Sequence, residues 1–351
     1  LILHQSSLQS KDNYKNNFNQ KYLSNYFSAL VSINNQDNDK ALNYFTTSKN
    51  LLKRHKNFLR NFTLSLVENN QVEKAINEIK KNKKEEYEDF FEAKILLFTE
   101  EIKKGNFKNA RAHIKKLHNS NNKDTFENIV IETLLAYTDL FINKKISKTK
   151  SDFGKLNHVT NSFQNCYLDS KDSIKYFKKL IESEEIDYSR YLFFYFQRLI
   201  ENNDLNTVTK LSNEINTLNS NLLISQSKKW VKNKDFFKFE KLFSCSNESD
   251  LISEFFFLIA NLYSSQEYYK SSNFYLIISS FLNSKFIYNN SLLAENYFVN
   301  NNYNRAKFYL NKFNKDDQSY NWFKTKKLAQ IIYKEQNEAA SLQFIEKKVL
   351  K

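Results

Sequence analysis

Lys40-Ala41-Leu42-Asn43-Tyr44-Phe45 has a pattern that returns down the chain, as Lys74-Ala75-Ile76-Asn77-Glu78-Ile79 and as Asn109-Ala110-Arg111-Ala112-His113-Ile114. Each is a small residue followed four positions later by a large apolar one, and the leading alanines stand 34 and 35 residues apart. The register recurs at Asp172-Ser173-Ile174-Lys175-Tyr176-Phe177, at Thr207 with Leu211, and at Ser272 with Leu276, Ala306 with Leu310 and Ala340 with Phe344. A small residue lets the second helix of a pair approach the first, and the large one a turn later fills the groove between them. Twelve residues before Ala41, Ser272 and Ala306 stand Ala29, Ala260 and Ala294, the small contacts expected on the preceding helix. Tyr263 and Tyr297 follow the last two as the aromatic that closes the pair.

Between the helices the sequence places short polar turns: Asn34 to Asn38, Glu68-Asn69-Asn70, Gly105-Asn106, Asn202-Asn203-Asp204, Ser264-Ser265-Gln266 and Asn300-Asn301-Asn302. Short polar connections are what antiparallel helix pairs require. Composition agrees. The 351 residues contain no proline and two glycines, Gly105 and Gly154. A strand-rich chain of this length needs many turns at backbone angles that favour those residues. The chain therefore reads as nearly all helix.

With this period, small-residue register and turn pattern over residues about 20 to 351, the chain resembles the tetratricopeptide repeat family. It departs from the family in lacking the helix-ending proline in every repeat, and in carrying Thr63 and Phe98 where a small glycine is usual. Among such proteins it is similar to repeat proteins of bacteria that are often exported. The expectation is an all-α, right-handed α-solenoid of about ten antiparallel helix pairs with a period of about 34. The organisation expected is an extension or signal remnant over 1–19, repeats over 20–142, an irregular or shortened repeat over 143–168, and repeats over 169–351 that continue past the fragment. The lysines 144, 145, 148 and 150 and Gly154 mark the irregular part as a joint.

Charge and termini bound the partners. Fifty-three basic residues against 39 acidic give +14 and a pI near 9.3. That balance suits nucleic acid or an anionic surface, but the joint abundance of Lys, Asn, Ile, Phe and Tyr is also what an AT-rich genome writes. The chain has no methionine and starts at Leu1, so it reads as a fragment or processed form. Leu1 to Ser10, followed by Lys11-Asp12-Asn13, reads as either a frayed terminus or the tail of a secretory signal, which tilts the expectation towards export. No run of about 18 apolar residues spans a membrane. Two cysteines, Cys166 and Cys245, are too few for a disulfide framework or a metal site and leave the compartment open.

No catalytic constellation is visible. Two glycines cannot build a phosphate-cradling loop or a dinucleotide fingerprint. His4, His55, His113, His118 and His158 lack ligand spacing; His113 and His118 lie five apart, off a common helix face. Glu85-Glu86-Tyr87-Glu88-Asp89 and Glu182, Glu184 and Glu185 suit helix starts, where carboxylates complement the dipole. The expectation is no enzyme and no cofactor. Stacked helix pairs instead offer a concave groove to a protein or peptide partner, with Tyr26, Glu254, Asn261, Tyr288, Ser291 and Glu295 as candidate groove residues by period. Lys80-Lys81-Asn82-Lys83-Lys84 ends a helix, where lysines satisfy carbonyls and dipole. A repeat later Lys103, Lys104, Lys108, Arg111, Lys115 and Lys116 form a candidate basic stripe, and with it the alternative of RNA or polyanion binding. A second alternative is an accessory module of a larger enzyme outside the fragment.

Overall fold

The computed structural model describes residues 20–349, apart from 53–54, 56, 83–89, 119–124, 171, 183–189 and 218–219. The proposed signal remnant over 1–19, the acidic run 85–89, Lys83, Lys84, Glu184 and Glu185 lie outside the described residues. Among the described residues there are nineteen α-helices and no strand. The first pairs are α1 (Gln20–Asn34) with α2 (Asn38–Thr47), α3 (Phe58–Glu68) with α4 (Val72–Lys81), and α5 (Phe91–Lys103) with α6 (Phe107–His118). The single helix α7 (Thr125–Asn143) packs on α6. Then come α8 (Lys155–Tyr167) with α9 (Ser173–Ile181), α10 (Tyr191–Glu201) with α11 (Leu205–Glu214), and α12 (Leu222–Lys232) with α13 (Phe237–Leu242). The last are α14 (Glu248–Ser265) with α15 (Tyr269–Leu282), α16 (Asn290–Val299) with α17 (Tyr303–Leu310), and α18 (Gln318–Glu335) with α19 (Glu338–Val349). The chain is an α-solenoid of stacked helix hairpins.

One turn repeats through the hairpins and explains how two glycines suffice. After α1, Gln36 takes a left-handed backbone (φ 58°). Its N–H donates to Ile33 O, and Asp37 N–H donates to Ser32 O. That pair of bonds returns orphaned carbonyls to the ladder at the helix C-terminus. Asn70 with Gln71, Gly105 with Asn106, Asn203 with Asp204, Glu267 with Tyr268 and Asn301 with Asn302 repeat it. Where asparagine sits at the left-handed position, its short polar side chain makes that backbone tolerable. The residue that follows can then cap the next helix: Asp37 accepts from Lys40 N–H, Asp204 from Thr207 N–H and Asn302 from Arg305 N–H. Left-handed residues at 36, 70 and 105, and at 169, 203, 234, 267 and 301, fall 31 to 35 apart within each run.

The expected packing register holds for most pairs. Ala29 and Ala41, Ala260 and Ser272, and Ala294 and Ala306 are all buried where their helices meet. Tyr263 stacks on Tyr275 at 5.7 Å, and one repeat later Tyr297 stacks on Tyr309 at 5.6 Å. Two helices depart from it. In α11 Val208 and Ser212 face inward, one position past Thr207 and Leu211. In α19 Ser341 is buried while Ala340 and Phe344 are half-exposed, because no further described helix covers that face.

The solenoid curls until its N-terminal hairpins touch α14–α17. Helix α3 packs on α15, α5 on α14 and α15, and α7 on α14. A polar seam joins hairpin turns far apart in sequence. Gln36 Nε2 donates to Asn300 Oδ1 at 3.1 Å, Asn302 Nδ2 to Gln36 O at 2.8 Å, and Arg305 binds Asp39 at 3.0 Å and also Asn69. The non-helical stretch 144–154 connects α7 to α8 and is tied down at Glu132, which accepts from both Ser151 N–H and Ser151 Oγ at 2.7 Å. Burial raises the Glu132 carboxyl, but those bonds outweigh it and hold it below the ordinary range. Cys166 and Cys245, with Cα atoms 5.5 Å apart, form a disulfide across 79 residues.

Candidate functional site

Several of the side chains expected to line an open groove are buried. That corrects part of the expected binding surface. Tyr26 is buried among Phe45, Phe58 and His55, with its Oη 3.2 Å from His55 Nδ1. Tyr288 is buried and donates to Asp317 at 2.9 Å. Glu254 is buried too, and both its oxygens take 2.7 Å bonds from Arg190. Arg190 also donates to Asn289 and lies 3.6 Å from the Phe257 ring. Burial opposes charge on Arg190, and the Glu254 carboxylate overrides it, so the guanidinium stays fully protonated. Three of the six groove candidates are therefore core. Of the others, Ser291 donates to Tyr288 O, Glu295 pairs with Lys327 at 2.8 Å, and Asn261 is exposed.

The basic stripe is partly consumed within the fold. Lys104 pairs with Glu100 at 2.6 Å, Arg111 with Asp139 at 2.5 Å, and the Lys103 ammonium sits 3.8 Å from the centre of the Phe281 ring. Lys108, Lys115 and Lys116 are exposed. Among the described residues no group of three or more His, Cys, Asp or Glu side chains is arranged to hold a metal.

What the curling leaves is a cleft of about 950 Å³ where the N-terminal hairpins meet α14–α16. Leu64 and Ser65 on α3, Phe91 on α5 and Phe126 on α7 form one side. Tyr263 on α14, Phe274 and Tyr275 on α15 and Tyr297 on α16 form the other. Phe126 and Tyr263 touch across it, ring centres 4.8 Å apart. At its edge Arg60 makes a two-pronged contact with Glu92, at 3.2 and 2.7 Å.

Glu68 lies in the cleft wall at the end of α3. Its Oε2 accepts from Tyr297 Oη at 2.5 Å and from Asn38 Nδ2 at 3.4 Å. Burial lifts the carboxyl to about 6, with the Tyr297 hydrogen bond and the charges of Arg305 and Lys270 pulling it back down. Burial also pushes the Tyr297 phenol well up, so the phenol keeps its proton and is the donor. Ser65, 2% exposed, also lines the cleft, and its Oγ is buried with no hydrogen-bond partner.

The sequence named neither wall of this cleft as a site. Glu68 stood out only as a turn residue and Tyr297 only as a pair-closing aromatic. Their meeting depends on the summed curvature of the five hairpins and one single helix that lie between them, which no local period encodes.

No helix among the described residues is long and apolar enough to cross a membrane. No protein-family model matches the sequence, and no curated protein does. Among solved structures the chain is similar to the crystal structure of the yeast Tom70, at 12% sequence identity, over 93% of this chain and 75% of that one, with a TM-score of 0.28. A likeness at that score carries no argument about this chain.

Proposed function

We propose that the chain is a non-catalytic scaffold that holds a segment of a partner protein in the cleft between α1–α7 and α14–α16. The observation that carries this reading is the cleft itself: about 950 Å³, walled by aromatic side chains and edged by charged ones. Apolar walls with a few convergent polar groups are the ordinary make-up of a binding site, and peptide segments dock through such walls. His55 meets the Tyr26 phenol, and the buried ion pair Arg190–Glu254 lies in the core. The Cys166–Cys245 disulfide favours an oxidising compartment, since such bonds persist there and are rare in the cytosol.

The test is selection of peptides from a displayed library, followed by hydrogen exchange of the complex. Selected peptides should protect α3 and α15, and binding should drop when Ser271, on the cleft wall, is replaced by tryptophan. Protection confined to α6 with its exposed lysines would instead support the polyanion reading.

A further inference from the structure

The charges around the cleft answer one another. Arg60 binds Glu92 two-pronged and also faces Glu127. Glu68 takes the Tyr297 hydrogen bond and has the charges of Arg305 and Lys270 near it. Glu267 and Lys270 both stand exposed in the lining, where water screens them. A charged occupant would shed its water against the rings without an open counter-charge to replace it, which costs free energy. A neutral occupant escapes that cost.

What the lining offers instead is ring surface. Phe126 and Tyr263 meet at 4.8 Å and Tyr263 stacks on Tyr275 at 5.7 Å, so these rings hold one another in place. Tyr268 also lines the cleft, yet it is 60% exposed, and its ring stands edge-on to Tyr263 at 6.4 Å. It carries the aromatic wall out into solvent. Stacked and edge-on ring pairs are worth more than the area they bury, so this surface favours a ring over an aliphatic chain of similar size.

Resting on the reading of the cleft as the binding surface, we infer that it seats an uncharged aromatic side chain of the partner segment, with Tyr268 as a specificity-determining contact and the Arg60–Glu92 pair keeping charge of either sign out. An exposed residue such as Tyr268 can be removed without disturbing the core, which separates a role in binding from a role in folding.

The experiment measures, by calorimetry, binding to the full chain of four pooled synthetic peptide libraries. They share randomised uncharged positions and differ at one fixed position, which is phenylalanine, norleucine, lysine or glutamate; N-acetylphenylalaninamide is a fifth titrant. Phenylalanine should bind about fivefold tighter than norleucine, with lysine and glutamate both weaker than norleucine. Tyr268→Ala should cut phenylalanine binding about threefold at an unchanged melting temperature. Glu92→Gln frees the Arg60 guanidinium and should strengthen glutamate binding about threefold. Lysine or glutamate binding as tightly as phenylalanine, or a phenylalanine pool indifferent to Tyr268→Ala, sinks this inference and leaves the peptide-holding scaffold standing. No binding by any pool sinks both. The free amide binding as tightly as the phenylalanine pool assigns the cleft to a small aromatic ligand and overturns a protein segment as occupant.

Discussion

Glu68 and Tyr297 are 229 residues apart and share a 2.5 Å hydrogen bond, the phenol donating to the carboxylate. Glu68 ends α3 and Tyr297 belongs to α16, so the bond is struck between hairpins far apart along the solenoid. It sits beside the Arg305 contacts to Asp39 and Asn69, and Tyr309 Oη donates to Asn70 one turn further on at 3.1 Å. The cleft exists because this seam is closed.

The seam makes stability depend on pH with a defined sign. Glu68 titrates near 6 in the folded chain against an ordinary value of 4.5. A carboxyl raised by folding keeps its proton when the unfolded chain has lost it. Its contribution is therefore most favourable below pH 4.5 and is lost as pH rises through about 6. A shift of that size corresponds to about 2 kcal/mol. Urea unfolding should show Glu68→Gln gaining on the parent chain by up to about 2 kcal/mol between pH 4.5 and 7. If the difference between the two chains is the same at both pH values, Glu68 is not buried as described.

Arg190 and Glu254 should behave as a buried pair. Glu254→Gln leaves the guanidinium among Phe257, Phe286 and Phe194 without its counter-charge, and should cost about 3–5 kcal/mol. Replacing both partners with methionine should recover most of that loss, because desolvation of the two charges disappears together. Thermal melts of the single and double variants test this. A double variant no more stable than Glu254→Gln would contradict it.

The disulfide closes a loop of 79 residues and constrains the unfolded chain. Cys166→Ser with Cys245→Ser should lose about 2–4 kcal/mol, and reduction of the parent chain should reproduce the loss. Alkylation of the unreduced, folded chain by a thiol reagent would show the bond is not formed.

Ala306 is buried on α17 against α16, where Ala294 is also buried. Ala306→Phe overpacks that contact and should cost about 1–3 kcal/mol. In an open array of repeats the damage would stay in the C-terminal pairs. The seam changes that expectation: hydrogen exchange should also quicken in α1–α4, which α16 and α17 touch through Glu68, Asp39 and Asn70. An unchanged melting temperature would mean the register is wrong.

The helix pairs were legible because each rests on neighbours in sequence. Ala41 with Phe45, Ala75 with Ile79 and Ala306 with Leu310 are all buried, since a four-residue step puts both on one helix face. The polar turns were legible for the same reason. Register failed by one position at Thr207, where Val208, a better core residue, takes the inward place. Three of the six groove candidates lie in the core. Tyr26, Glu254 and Tyr288 stand where an open superhelix would present them, but curvature folds Glu254 onto Arg190 and packs Tyr288 against Tyr320 at 4.6 Å. The Cys166–Cys245 bond escaped as well, because two cysteines 79 apart give no local sign that α8 and the connection between α13 and α14 meet. Contacts between distant repeats are set by the small rotation added at each hairpin, and that sum is not written at any one residue.

Closure of the seam is the claim on which the cleft depends, and a distance measurement tests it directly. Asn35 and Asn304 are exposed and flank the Gln36–Asn300 contact. Spin labels at Asn35→Cys and Asn304→Cys leave the native cysteines unlabelled in their disulfide. Pulsed electron-electron resonance should then give one short, narrow distance distribution, retained at neutral pH and lost on unfolding. A broad distribution of long distances, as an open solenoid would give, would contradict the closed seam and remove the cleft with it.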